Sequence, residues 1–148
     1  MIKIEKLKKE DIQFVVDIEE RHLEETLGYE MLQAELHNKY AYFYVAKDSE
    51  LVIGYIGAWI IEGVTDMINF VVDKKYQHQG IGQLLMKQII EDSISNNSKE
   101  ILLEVREQNI QAIKFYTLQG FKQITVRKEY YKNGDNALIL RKELSWKF

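Results

Sequence analysis

The chain has 148 residues, 46% of them hydrophobic, with two Trp, nine Tyr and six Phe, so one packed domain is expected and the composition argues against disorder. Lys and Arg number 20 against 23 Asp and Glu, a net charge of −3, which speaks against a dedicated nucleic-acid binder. With no Cys, disulfides, cysteine metal sites and a cysteinyl covalent intermediate are excluded. The start, Met1-Ile2-Lys3-Ile4-Glu5-Lys6, carries no apolar leader, and no apolar run nears the ~18 residues of a membrane span. A cytoplasmic protein with no membrane partner is expected.

Ile2 to Lys6 alternates as a short strand. Asp11 reads as a helix N-cap ahead of Ile12, Val15, Val16 and Glu19, and the helix is predicted to run to about Thr26, with Gly28 as a break. Tyr29 to Lys39 reads as a second helix, with Met31, Leu32, Glu35 and Leu36 at helical spacing. Ala41 to Ala46 and Leu51 to Ile61 read as strands joined by the turn Asp48-Ser49-Glu50. Met67 to Val72 is the next strand. After a glycine-bearing loop, a helix to Ser95 places Ile81, Leu84, Leu85, Ile89 and Ile90 on one stripe. Ile101 to Val105 reads as a short buried strand. Asn109 is predicted to cap a helix through Gln119, with Gly120 at its C′ position. Phe121 to Tyr131 and Ala137 to Arg141 are expected to pair across Lys132-Asn133-Gly134-Asp135, since Asn-Gly is a strong hairpin signal. The order β-α-α-β-β-β-α-β-α-β-β predicts an α+β fold, or α/β in three layers, on one central mixed sheet.

The loop Gln77-His78-Gln79-Gly80-Ile81-Gly82, with Gln83 opening the helix, sits between a strand and a helix. Backbone N–H groups at that helix's positive end would seat a phosphate; the plainer alternative is a tight turn. No Lys-Ser/Thr follows the glycines, and the first glycine and the acidic partner of a dinucleotide fingerprint are missing. A pyrophosphate without a nicotinamide signature points to a carrier such as coenzyme A. Glu104 lies in the apolar strand Ile101-Leu102-Leu103-Glu104-Val105, where alternation puts it on the face of Leu102 and opposite Leu103 and Val105. Left to itself it reads as a strand-end glutamate paired with a nearby Lys or Arg. Tyr116 reads as an amphipathic core tyrosine. The run Glu19-Glu20-Arg21-His22-Leu23-Glu24-Glu25 could attract a basic acceptor, or form a solvated helix face. The three His show no spacing that suggests a metal.

Two segments carry a family likeness. The pattern Gln-x-x-Gly-x-Gly, here Gln77, Gly80 and Gly82, resembles the acetyl-CoA loop of the GNAT acetyltransferase superfamily. The segment Asn109-x-x-Ala112-x-x-Phe115-Tyr116-x-x-x-Gly120-Phe121 resembles its other signature. Within it, Asn69-x-x-Val72-Asp73, Tyr76 to Gly82, Leu103-Glu104-Val105-Arg106 and Arg127-x-x-Tyr130-Tyr131 are similar to the RimI-like ribosomal-protein alanine N-acetyltransferases. That likeness runs from about Asn69 to Leu140. Before it, the group's Pro-Trp is absent and the loop reads His22-Leu23-Glu24-Glu25-Thr26-Leu27-Gly28; His78 stands where Arg is usual, and Asn136 replaces an acidic residue.

The resemblance implies a strongly bent mixed sheet and direct attack of an amine on acetyl-CoA in a ternary complex, without a metal. It implies Glu104 as general base, through water, and Tyr116 as general acid toward the departing thiolate. Gln77, His78, Gln79, Gly80, Ile81, Gly82 and Gln83 would hold the pyrophosphate. Phe70, Val71 and Val72 would offer backbone groups to the pantetheine arm and the thioester oxygen, if a bulge frees them from sheet pairing. Asn109 would contact the cofactor or only cap its helix. The acceptor implied is a basic protein N-terminus, such as that of a ribosomal protein, or a small amine such as a polyamine or aminoglycoside. A non-catalytic acyl-CoA-binding module is the remaining alternative.

Overall fold

The structure, a computed structural model, describes residues 1–144; Ser145 to Phe148 lie outside the described residues. In chain order the elements are β1 (Ile2–Lys6), α1 (Ile12–His22), α2 (Gly28–Glu35), β2 (Ala41–Asp48), β3 (Leu51–Ile61), β4 (Val64–Val72), α3 (Ile81–Ser95), β5 (Glu100–Arg106), α4 (Ile110–Leu118), β6 (Lys122–Arg127) and β7 (Ala137–Glu143). The strands form one sheet in the order β1-β2-β3-β4-β5-β7-β6. Every neighbouring pair is antiparallel except β4 with β5. The predicted element order holds throughout.

Alternation along the strands makes two cores. On one face, Ile81, Leu85, Met86 and Ile89 of α3 pack on Tyr44, Ile53, Ile56, Leu103 and Val105. On the other, Ile12, Val15, Val16 and Ile18 of α1 and Leu32 of α2 pack on Phe43, Val45, Val52, Tyr55 and Val71. Leu84, predicted on the buried stripe of α3, is exposed, and Met86 takes its place. No helix among the described residues is long and apolar enough to cross a membrane.

Four local expectations change. Helix α1 stops at His22, not Thr26, because Leu23 turns extended. The cause lies at Glu19, whose carboxylate accepts from the N–H groups of Leu27 (3.0 Å) and Gly28 (3.2 Å) and folds the chain back. Asp11 gives α1 no side-chain cap; its buried carboxylate instead takes the Lys8 N–H at 3.0 Å and pairs with Lys47 at 3.0 Å. Gly28 does not break a helix but opens α2, with φ +81°, and α2 ends at Glu35 rather than Lys39. The Asn133-Gly134 turn does form, with the Gly134 N–H donating to the Tyr131 carbonyl at 2.9 Å and the Tyr131 N–H to the Asp135 carbonyl at 3.2 Å, but the strands stop short of it: β6 ends at Arg127, not Tyr131, and β7 begins at Ala137. Between Arg127 and the turn a side chain organises the loop, with Asn136 accepting from the Glu129 N–H at 2.9 Å.

Candidate active site

The parallel pair sets the site. β4 and β5 pair at only three positions, Val64–Asp66 against Glu100–Leu102. Beyond them β4 stays with β3 and β5 stays with β7, so the two strands diverge into a wedge open toward their carboxyl ends. The closed end is pinned by Thr65, whose hydroxyl meets Ser93 at 2.7 Å and Ser98 at 2.8 Å. The open end leads into the two strand-to-helix connections, the place where ligands of parallel sheets bind.

A bulge works the wedge's β4 edge. The register steps from Gly57 opposite Asn69 to Ala58 opposite Met67, leaving Ile68 as the extra residue. Past it, the Phe70 N–H turns from β3 and is met by Asn69 Oδ1 at 3.0 Å, while the Val72 carbonyl accepts from Gln77 Nε2 at 3.1 Å. The predicted segment Phe70, Val71 and Val72 therefore does carry backbone groups outside the ladder.

The glycine loop follows directly. His78 and Gly80 both sit in the left-handed region, at φ +65° and +81°, and they turn the chain into α3. The α3 N-terminus has no side-chain cap and no acidic residue in its first turn. Its leading N–H groups and the positive end of its dipole suit an anion, and Gln77 to Gln83 are placed around it. A Cβ on Gly82 would stand 3.3 Å from the Phe70 ring and 3.4 Å from that of Phe115, so the loop is drawn tightly onto an aromatic floor. That floor is Phe70, Phe115, Tyr116 and Phe121, with ring centroids 5.6 to 6.2 Å apart. Tyr116 is 8% exposed, and burial pushes its phenol well above the usual tyrosine range, which keeps it protonated. Asn109 caps α4 by accepting from the Ala112 N–H at 3.2 Å. No group of ligands for a metal exists among the described residues.

Glu104 alternates with Leu103 and Val105, which share a buried cluster with Tyr116, and so points to the other face of the sheet. Its carboxylate pairs with Arg127 at 3.0 Å, the partner type expected for a strand-end glutamate, and remains 36% exposed. Next to it on the same face, Arg106 gathers Glu24 (3.1 Å), Glu25 (2.7 Å) and Asp135 (2.8 Å), with its guanidinium over the Tyr131 ring at 3.9 Å. One cation thereby clasps the α1–α2 loop to the β6–β7 loop across the wedge mouth. The acidic run is in large part a solvated face, with Glu20, Arg21, Glu24 and Glu25 exposed; Glu24 and Glu25 are also paired with Arg106, and Glu19 is fully buried. Sequence reasoning placed Glu19 in the acidic run and Asn69 in the cofactor strand, but missed the bond between their side chains, in which the Asn69 amide donates to Glu19 at 3.3 Å. The available signal was a carboxylate on the apolar stripe of α1.

Comparison with known proteins agrees with this geometry. The sequence model of the acetyltransferase (GNAT) family matches residues 6–121. The chain is similar to the ribosomal protein bS18-alanine N-acetyltransferase of Escherichia coli K12, at 29% identity over 110 residues covering 72% of this chain and 74% of that one. It is likewise similar to an N-alpha-acetyltransferase of Sulfurisphaera tokodaii, at 28% identity, covering 88% and 86%. The crystal structure of the Escherichia coli S18-alanine enzyme superposes with a TM-score of 0.90 at 23% identity, covering 100% of this chain and 97% of that chain. The PaiA N-acetyltransferase of Thermoplasma acidophilum, solved with coenzyme A, gives 0.81 at 22% identity, covering 97% and 99%.

Proposed function

The chain belongs to the acetyltransferase (GNAT) family, and from that premise we propose that it acetylates a protein N-terminal α-amine, using acetyl-CoA, in one ternary complex. The observation that carries this is the wedge between β4 and β5, with its bulge-freed Phe70 and Val72 groups leading into the uncapped N-terminus of α3. Acetyl-CoA supplies a thioester already activated toward amines. Gln77, His78, Gln79, Gly80, Ile81, Gly82 and Gln83 hold its pyrophosphate by backbone N–H groups. Phe70, Val71 and Val72 line its pantetheine, and the Phe70 N–H stabilises charge on the acyl oxygen. Asn109, its oxygen engaged as a cap, has only its amide to offer.

Tyr116 donates a hydrogen bond to the departing thiolate. Complete transfer is uphill even at reference values, ~10 for a phenol against ~8.5 for a thiol, and burial raises the phenol further. The role is therefore charge stabilisation, a sharper assignment than general acid. Glu104, on the acceptor face, takes the amine's proton through water; an α-amine, with a reference pKa of ~7.7–8.0, needs only modest help. The α-amine acceptor is supported by the named activities of the bS18-alanine and N-alpha-acetyltransferase relatives. A polyamine would want unpaired carboxylates at the mouth, and Arg106 already occupies three of them.

The test is an acceptor screen that follows thiol release from acetyl-CoA. It compares a basic peptide beginning with Ala, the same peptide N-terminally blocked, and spermidine. Release with the unblocked peptide alone is expected. Activity on the blocked peptide would assign Lys side chains, and activity on spermidine alone a small amine; either would overturn the reading.

A further inference from the structure

The Phe70 N–H is not simply free. Asn69 Oδ1 accepts from it at 3.0 Å. The orientation of that amide is fixed by chemistry on its other side: Asn69 Nδ2 faces two acceptors, Glu19 Oε2 at 3.3 Å and the Glu25 carbonyl at 3.4 Å. Flipping the amide would set its NH₂ against a donor and its oxygen against two acceptors. Glu19 itself is fully buried and immobile, since Leu27 N–H, Gly28 N–H and the Tyr55 hydroxyl all donate to it. Burial and the Glu19 carboxylate push the Tyr55 phenol up, so it keeps the proton that it donates.

We propose that Asn69 guards the acyl seat: its side-chain carbonyl and the acyl carbonyl of acetyl-CoA compete for the same Phe70 N–H. This rests on the wedge being the acetyl-CoA site. Seating the acyl group breaks the Asn69–Phe70 bond and releases a side chain whose other end is tied to Glu19 and to the Glu25 backbone. Donor occupancy is thereby transmitted to the α1–α2 loop, which Arg106 holds over the acceptor mouth. Asn69 is a positioning residue, distinct from Tyr116 and Glu104, which act on the reacting groups.

The competition separates two ligands that differ only in the acyl group. Calorimetry gives the affinities of acetyl-CoA and of coenzyme A for wild-type protein and for Asn69→Ala. Removing a competing neutral hydrogen bond tightens acetyl-CoA by about three- to tenfold, while coenzyme A, lacking the acyl carbonyl, binds unchanged. Equal shifts for both ligands would mark a structural role, and no shift or weaker acetyl-CoA binding would refute the competition; each overturns the proposal while leaving the donor site standing. Failure of wild-type protein to bind either ligand would instead overturn the donor-site reading and this inference with it. A second readout needs no variant: in isotope-labelled wild-type protein the Phe70 amide resonance moves further, and to a different position, with acetyl-CoA than with coenzyme A, which brings the pantetheine but no acyl carbonyl. Identical responses to both ligands would overturn the proposal.

Discussion

Replacing Tyr116 by Phe removes one oxygen and nothing else that the fold uses. The ring packs against Phe70 at 6.2 Å and against Phe115 and Phe121 at 5.6 Å each, centroid to centroid, and a phenyl ring keeps all three contacts. Burial is what raises the phenol, and among the described residues no hydrogen bond is lost with the hydroxyl. Stability should hold within ~0.5 kcal/mol, a melting shift of no more than ~2 °C for a chain of this size. What disappears is a hydrogen bond to a developing thiolate. A bond to a charged group is worth ~1.5–3 kcal/mol, or ~10- to 150-fold in turnover.

The assay pairs steady-state thiol release with calorimetric binding of acetyl-CoA and a thermal melt on the same preparation. The expected result is a fall in kcat of that size, with donor affinity changed less than ~twofold and the melt unmoved. Because the phenol stays protonated across the working range, the alkaline limb of the kcat profile should be the same in both proteins. Turnover within ~twofold of wild type would refute the thiolate role. A fall in kcat matched by an equal loss of donor affinity or of melting temperature would show that Tyr116 is only a piece of the aromatic floor.

Three other perturbations test the frame around the wedge. Gly57→Ala places a Cβ 2.2 to 2.5 Å from carbons of the Phe43 ring; this overlap beside the bulge should cost about 3 kcal/mol and lower the melting temperature by ~6–12 °C, and an unchanged melt would disprove the close approach. Arg106→Ala leaves Glu24, Glu25 and Asp135 facing one another, so acceptor KM should rise severalfold with acetyl-CoA affinity unchanged, as titration of each substrate would show. At Asp73, burial alone would raise the carboxyl, but the Lys75 N–H, Arg21 and His22 outweigh it and hold it below the usual range. Its stabilisation is therefore complete above the unfolded value of ~3.9 and fades as pH falls through and below it. Melts of Asp73→Asn should be lower than wild type at pH 7 and converge with it toward pH 3.

The element order was legible in the sequence because each element carries its own local signal: alternation in Ile2 to Lys6, aromatic and β-branched residues in Ala41 to Ala46, a buried stripe in α3, Asn109 and Gly120 at the two ends of α4. The ends of α1 were not, and the failure has a physical cause. Local propensity in Asp11 to Thr26 was overruled by long-range polar contacts. Glu19 recruits the N–H groups of Leu27 and Gly28 and so ends the helix early. Arg106 holds Asn133 at 3.1 Å and Asp135 at 2.8 Å, tying the Asn133-Gly134 turn to β5 by contacts that local pattern does not announce either. Such pairs, 8 to 29 residues apart, leave no periodic trace.

The same distinction divides the site. The proposed donor side rests on features written in consecutive backbone: a glycine turn, a helix start and a strand next to it. The acceptor side is assembled from side chains of distant elements, Glu24 and Glu25 meeting Arg106 and Asp135, and the paired state of those carboxylates changes what they can select. A cluster of acids read in isolation suggests attraction of any cation. Clasped by one guanidinium, the same acids lose part of that pull and also hold two loops at a set separation, so the mouth offers shape as well as charge to an acceptor. The proposed preference for a terminal α-amine therefore turns on the geometry around Arg106 and not on the overall charge of −3.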